Sequence, residues 1–204
     1  MGGSTILKPI VSKTFCSSSE TMFMVRKRPN VINGGGFVVM NLGQKVVFSV
    51  DGCGILGAKG ELIVRDGDGA STLFIRKKGG IVQALSFEKR WKGYLMDQYE
   101  GTPSKLVFSL REPIRSCIAV NTAIKVSIAV PKEHKDWDYE VRGSFMDKSC
   151  TINDRRGDVV AEVGVGLMKS KELYYVLVKA GYDRAFVVGI IAILDNIHGE
   201  STRC

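Results

Sequence analysis

Hydrophobic and polar residues alternate in short runs over most of this chain, and Gly, Asn and Asp punctuate the runs. Period-two alternation bounded by such residues is the signature of half-buried β-strands. It predicts strands at Phe23–Arg26, Phe37–Asn41, Val46–Val50, Glu61–Arg65, Thr72–Lys77, Ile81–Phe87 and Trp91–Met96. Further strands follow at Leu106–Leu110, Ala123–Val130, Tyr139–Phe145, Ser149–Ile152, Asp158–Val163 and Leu173–Val178, about a dozen in all. Asp66-Gly67-Asp68-Gly69 supplies the positive-φ positions that a tight hairpin turn requires. In the last strand, Leu173, Tyr175 and Leu177 point one way and Tyr174, Val176 and Val178 the other.

The pattern changes once, near the C-terminus. Ala185–Leu194 (AFVVGIIAIL) is apolar throughout, about half the length of a bilayer crossing but longer than an ordinary strand. Asp183 can cap free N–H groups before it, and His198-Gly199 makes a last turn and stop, so the segment is read as a helix from Asp183 to His198. Such a helix would be about 24 Å long. A helix apolar on every side must be enclosed on every side, which makes Ala185, Phe186, Val187, Val188, Ile190, Ile191, Ile193 and Leu194 buried residues. One architecture accommodates both elements. The chain is expected to be mainly β, an approximately twelve-stranded closed antiparallel barrel enclosing one hydrophobic C-terminal helix. Residues 1–20 are expected to be a flexible N-terminal segment, and 21–200 a single barrel domain.

Composition adds mostly exclusions. Hydrophobic content of 45% with charged content of 25% over 204 residues is that of a globular protein, not a disordered chain. No signal-peptide apolar region precedes Ser19, and five cysteines (Cys16, Cys53, Cys117, Cys150 and Cys204) do not suit a disulfide scaffold, so a cytoplasmic protein with reduced thiols is expected. Met1-Gly2-Gly3-Ser4-Thr5-Ile6 lacks the hydroxyl residue of a myristoylation signal, and Cys204 does not open a prenylation box. Two distant histidines, His134 and His198, and the absence of a C-x-x-C pair speak against zinc. No cofactor is expected.

Catalytic motifs are equally sparse. Gly34-Gly35-Gly36 leads into a strand instead of a helix, so it reads as a turn and not a phosphate cradle. Asp66-Gly-Asp68-Gly69 opens like a calcium loop but continues through Ala70 and Ser71 to Lys77, without the required glycine and closing acid. Gly164-Val165-Gly166 lacks the rest of any nucleotide fingerprint. A Cys150–His134 or Cys150–His198 pair has no supporting motif, and Asp136, Asp138 and Glu140 beside Trp137 and Tyr139 fit a solvated edge as well as acid–base work. The chain is therefore expected not to be an enzyme.

Basic clusters carry the functional signal. The formal charge is +8, and Arg26-Lys27-Arg28, Arg76-Lys77-Lys78, Lys89-Arg90 with Lys92, and Arg155-Arg156 concentrate it near strand ends. If they share a face, each Lys or Arg contributes about 1 kcal/mol toward an anionic bilayer, and the same face attracts nucleic acid. If they scatter, they confer solubility and nothing specific.

The sequence resembles the plant LURP-one-related (LOR) family. The matching stretches are Phe37-Val38-Val39-Met40-Asn41, Val46–Val50, Leu62–Asp66 leading to Leu73–Lys78, Tyr139–Phe145 with Ser149-Cys150, Val159–Val163, and Gly181–Ala185 running into Ile193-Leu194-Asp195. Their order and spacing, from about Thr21 to His198, carry the likeness. The resemblance implies a Tubby C-terminal-like fold, shared with phospholipid scramblases: twelve strands around one hydrophobic helix. It implies no established catalysis, and some members are linked to plant defence. It also implies a non-enzymatic cytosolic module binding anionic phosphoinositides or protein partners, with peripheral attachment to a membrane. Arg76, Lys77, Lys78, Lys89 and Arg90 are the headgroup candidates: Arg76-Lys77-Lys78 is similar to the basic segment of Tubby-like domains, and Lys89-Arg90 is a further basic cluster. Cys16 is the only N-terminal cysteine and no acidic calcium-binding stretch is seen, so lipid scrambling is not implied. The alternatives are a protein-interaction or DNA-associated regulator using the same basic face, or an uncharacterised enzyme.

Overall fold

The computed structural model describes residues 6–28, 35–53, 58–78, 89–97, 99–112, 123–129, 137–166, 172–198 and 201–202. Twelve strands are present among them: β1 (Thr21–Arg28), β2 (Gly36–Met40), β3 (Val46–Asp51), β4 (Glu61–Asp66), β5 (Ser71–Lys78), β6 (Arg90–Met96), β7 (Pro103–Arg111), β8 (Ile124–Ile128), β9 (Tyr139–Ser144), β10 (Ser149–Asp154), β11 (Val159–Val165) and β12 (Leu173–Val178). One helix, α1 (Arg184–Ile197), follows. The strand expected at Ile81–Phe87 lies outside the described residues.

Each strand pairs antiparallel with its sequence neighbours, and β1 pairs with β12 to close the barrel. Closure removes the free edges that an open sheet would present to other chains. Inward positions alternate as the pattern predicts, with Tyr174, Val176 and Val178 buried on β12. Where an inward position is Gly93, the ring of its cross-strand partner Phe108 occupies the space, and an added Cβ would sit 2.3 Å from Phe108 Cε1.

The helix fills the lumen. Every residue from Ala185 to Asp195 is buried, which confirms all eight expected core positions. Phe186 lies between Phe108 and Tyr139, with ring centroids 5.3 and 5.0 Å away. Asp183 caps the helix, its Oδ1 accepting from the N–H groups of Ala185 (3.0 Å) and Phe186 (3.2 Å). The bounds agree with the expected helix within the fraying of its ends.

Residues 6–20 are docked at the end of the barrel where α1 begins, not loose. The second oxygen of Asp183 accepts from the N–H groups of Ile10 (3.0 Å), Val11 (2.7 Å) and Ser12 (3.0 Å). Arg184 donates through Nε to the Phe15 carbonyl at 2.7 Å, and Lys8 Nζ donates to the Tyr182 hydroxyl at 2.8 Å and approaches Asp154 at 3.3 Å. The physical reason is backbone satisfaction: a buried carboxylate accepts N–H groups that would otherwise be left without partners. At the other end, the buried Asp195 accepts from Thr202 N at 2.7 Å and from Ser201 Oγ.

Candidate functional site: a basic face across four strands

The register brings together cations that are far apart in sequence. Lys78 on β5 stands opposite Arg90 on β6, Arg90 opposite Arg111 on β7, and Arg111 opposite Lys125 on β8. One step along the strands, Arg76 stands opposite Lys92, which in turn stands opposite Ser109. Side chains two apart share a face, so these residues form two rows on the outside of the barrel. Arg76, Lys78, Arg90, Arg111 and Lys125 are exposed, and Lys92 is half-buried. Neighbouring strands lie about 4.8 Å apart, so the four-residue row spans about 15 Å.

Aromatic rings border the face. Arg76 lies 5.7 Å from the Tyr94 ring centroid, and Lys125 Nζ lies 5.7 Å from that of Trp137. Glu61 faces Arg76 at one margin. At the other, Glu140 faces Lys125 and is itself ion-paired with Arg142.

Of the five headgroup candidates, Arg76, Lys78 and Arg90 fall on this face, and the exposed Lys89 immediately precedes β6. Lys77 does not share it. Its side chain alternates to the opposite side, where Nζ pairs with Glu112 at 2.8 Å and lies 5.2 Å from the Trp91 ring centroid. Arg111 and Lys125 were missed, because only strand register could place them beside Arg90. Both follow or lie within predicted strands, so the available signal was a cation at a strand end.

In each of the other basic clusters at least one cation is ion-paired within the fold. Arg28 pairs with Asp51 at 2.7 Å, on the far side of the barrel. Arg156 pairs with Asp158 at 2.7 Å and lies 3.6 Å from Asp154.

The remaining candidates resolve as structure or fall outside the described residues. His134 and Asp136 lie outside them. Asp138 accepts from the Ile128 N–H at 2.8 Å. Asp66 Oδ1 accepts from the N–H groups of Asp68 and Ala70, fixing the hairpin turn. Gly36 has φ +114 and its added Cβ would meet the Val50 carbonyl oxygen at 1.9 Å, so this glycine serves strand packing. Burial pushes the Cys150 thiol up to about 11, the reverse of what a nucleophile needs. Cys16 and Cys150 are free. Among the described residues no group of three or more His, Cys, Asp or Glu is arranged to hold a metal ion. No helix there is long and apolar enough to cross a membrane.

The profile of the LURP-one-related family matches residues 21–195. The chain belongs to the LURP-one-related family. It is 48% identical to Protein LURP-one-related 6 of Arabidopsis thaliana over 97% of this chain and 100% of that protein. It is 46% identical to Protein LURP-one-related 16 of the same plant, over 98% of each. A crystal structure of an Arabidopsis thaliana protein superposes with a TM-score of 0.67 at 18% identity, covering 93% of this chain and 98% of that one, and shows the same fold.

Proposed function

We propose that this LOR domain is a non-enzymatic binding module whose β5–β8 face docks on anionic phosphoinositide-bearing membrane from the cytoplasmic side, in plant defence or stress signalling. The observation that carries the reading is the uninterrupted row Lys78, Arg90, Arg111, Lys125. Four cations side by side concentrate positive potential on one face, which favours an anionic ligand. Phosphoinositide headgroups concentrate negative charge enough to meet several of these cations together, and the flanking Tyr94 and Trp137 suit the wet, half-apolar boundary of a bilayer. The lumen is occupied by α1, so the outer surface is what such a ligand meets.

Sedimentation with phosphatidylcholine vesicles, with and without a phosphoinositide, tests this reading at low and at physiological salt. Binding should require the phosphoinositide and weaken as salt rises, because exposed charges are screened over about 8 Å at physiological ionic strength. Arg76→Gln with Arg90→Gln should weaken it about 30-fold, at about 1 kcal/mol per cation removed. Absence of binding to every anionic vesicle at low salt, or tighter binding of duplex DNA through the same residues, overturns it.

A further inference from the structure

A second surface lies at the opposite end of the barrel, where α1 begins. A groove of about 520 Å³ runs between the docked N-terminal segment and the ends of β3–β6, within the usual size of a binding cleft. Its walls include Val11, Phe15, Val47, Phe48, Leu95 and Met96, with the Phe15 and Phe48 rings 5.4 Å apart.

The rim of the groove is charged. Asp66 and Asp68 stand on one lip, in the β4–β5 turn, and Lys45 stands at the start of β3. Among the described residues none of these three takes part in an ion pair. Arg184 also reaches the groove, but its guanidinium is committed to the carbonyls of Phe15 and Thr14.

Apolar side chains gather around the same place. Val46 lines the groove and is 38% exposed, Leu42 lies three residues before Lys45 and is 68% exposed, and Tyr99 lies three residues beyond Met96 and is wholly exposed.

We propose that the groove docks a peptide segment of a protein partner. The segment buries one aliphatic or aromatic side chain against Val46, Phe48 and Leu95, sets a Lys or Arg against Asp66 and Asp68, and presents a carboxylate to Lys45. Charges of both signs without an ion-pair partner among the described residues, set around an apolar floor, fix the direction in which such a segment lies. A central apolar anchor with a polar rim is the usual anatomy of a peptide interface. The basic rows of β5–β8 are not part of this site, so peptide docking stands or falls independently of lipid binding.

Selection of a phage-displayed library of random peptides against the full chain tests the proposal. Enriched peptides should pair an apolar anchor with a Lys or Arg on one side and an acidic residue on the other. Binding of the enriched peptide, read by fluorescence anisotropy, should fall about fivefold in Asp68→Lys and about tenfold or more in Val46→Asp. Lys45→Glu should weaken it similarly, and a peptide with its acidic residue changed to Lys should restore binding to Lys45→Glu. Arg76→Gln with Arg90→Gln should leave it unchanged. No enriched peptide, enrichment of purely acidic peptides, or binding insensitive to Asp68→Lys and to Lys45→Glu in variants with unchanged circular dichroism overturns the proposal.

Discussion

Among the described residues, no side chain accepts more backbone N–H groups than that of Asp183. Its carboxylate is fully buried and accepts five backbone N–H groups, two from the first turn of α1 and three from the docked N-terminal segment. One residue therefore satisfies the start of the helix and fastens the chain that covers it. Removing one partner from a buried charged network leaves several donors unmet, which costs about 3 kcal/mol or more. Asp183→Ala should lower the free energy of unfolding in urea by at least that much, and Asp183→Asn should lose less because the amide oxygen still accepts. A loss near that of an ordinary surface substitution in Asp183→Ala would contradict the arrangement. The capping role was legible, since an Asp directly before an apolar run is a local signal. The other role was not, because Ile10, Val11 and Ser12 lie more than 170 residues away and their N–H groups carry no side-chain signature.

At the scale of elements, the alternation of apolar residues and the turn chemistry made the strands and α1 readable, while pairing between non-adjacent segments was not. β1 is separated from β12 by almost the whole chain, and closure between them followed only from the need to hide a helix apolar on all sides. The basic face shows the same division. Arg76, Lys78 and Arg90 announced themselves as adjacent cations, but Arg111 and Lys125 join them through register alone, and a shift of one residue would turn them to the other face. Packing of α1 against the wall was also beyond the sequence. Gly189 approaches β5 and β7 so closely that an added Cβ would sit 3.2 Å from Leu73 Cδ1 and 3.4 Å from both Ile75 Cδ1 and Phe108 Cζ. Gly189→Ala sets a helix-propensity gain of about 1 kcal/mol against that crowding and should leave stability within about 1 kcal/mol of the parent. Gly189→Leu must displace all three neighbours and should cost about 1–3 kcal/mol or more in a thermal melt. Equal stability of the two variants would mean that α1 has room to shift within the barrel.

At the scale of the whole molecule, titratable groups trapped in the main core around α1 tie stability to pH. Tyr139 and Cys150 both pack in the core around α1, and burial is the first cause that pushes the tyrosine hydroxyl up to about 12 and the thiol up to about 11. The negative charges of Tyr182, Asp154 and Asp183 act on Tyr139 in the same direction, whereas the Lys148 ammonium pulls Cys150 weakly down. In both cases the folded protein holds the proton more tightly than the unfolded chain, whose groups titrate near 10.0 and 9.0. Stability from this source is therefore complete below about pH 9 and declines as pH rises toward 12, because the unfolded state sheds protons first. Each unit of difference is worth about 1.4 kcal/mol, so the decline amounts to a few kcal/mol. The melting temperature should fall steadily from pH 9 to pH 11, and Cys150→Val, which keeps the volume but cannot ionise, should show a shallower fall over that interval. Native Cys150 should also resist iodoacetamide at pH 8 while the urea-unfolded chain reacts. A parallel fall in the parent and in Cys150→Val, or rapid alkylation of native Cys150, would show that the core around α1 admits water and does not behave as a closed barrel.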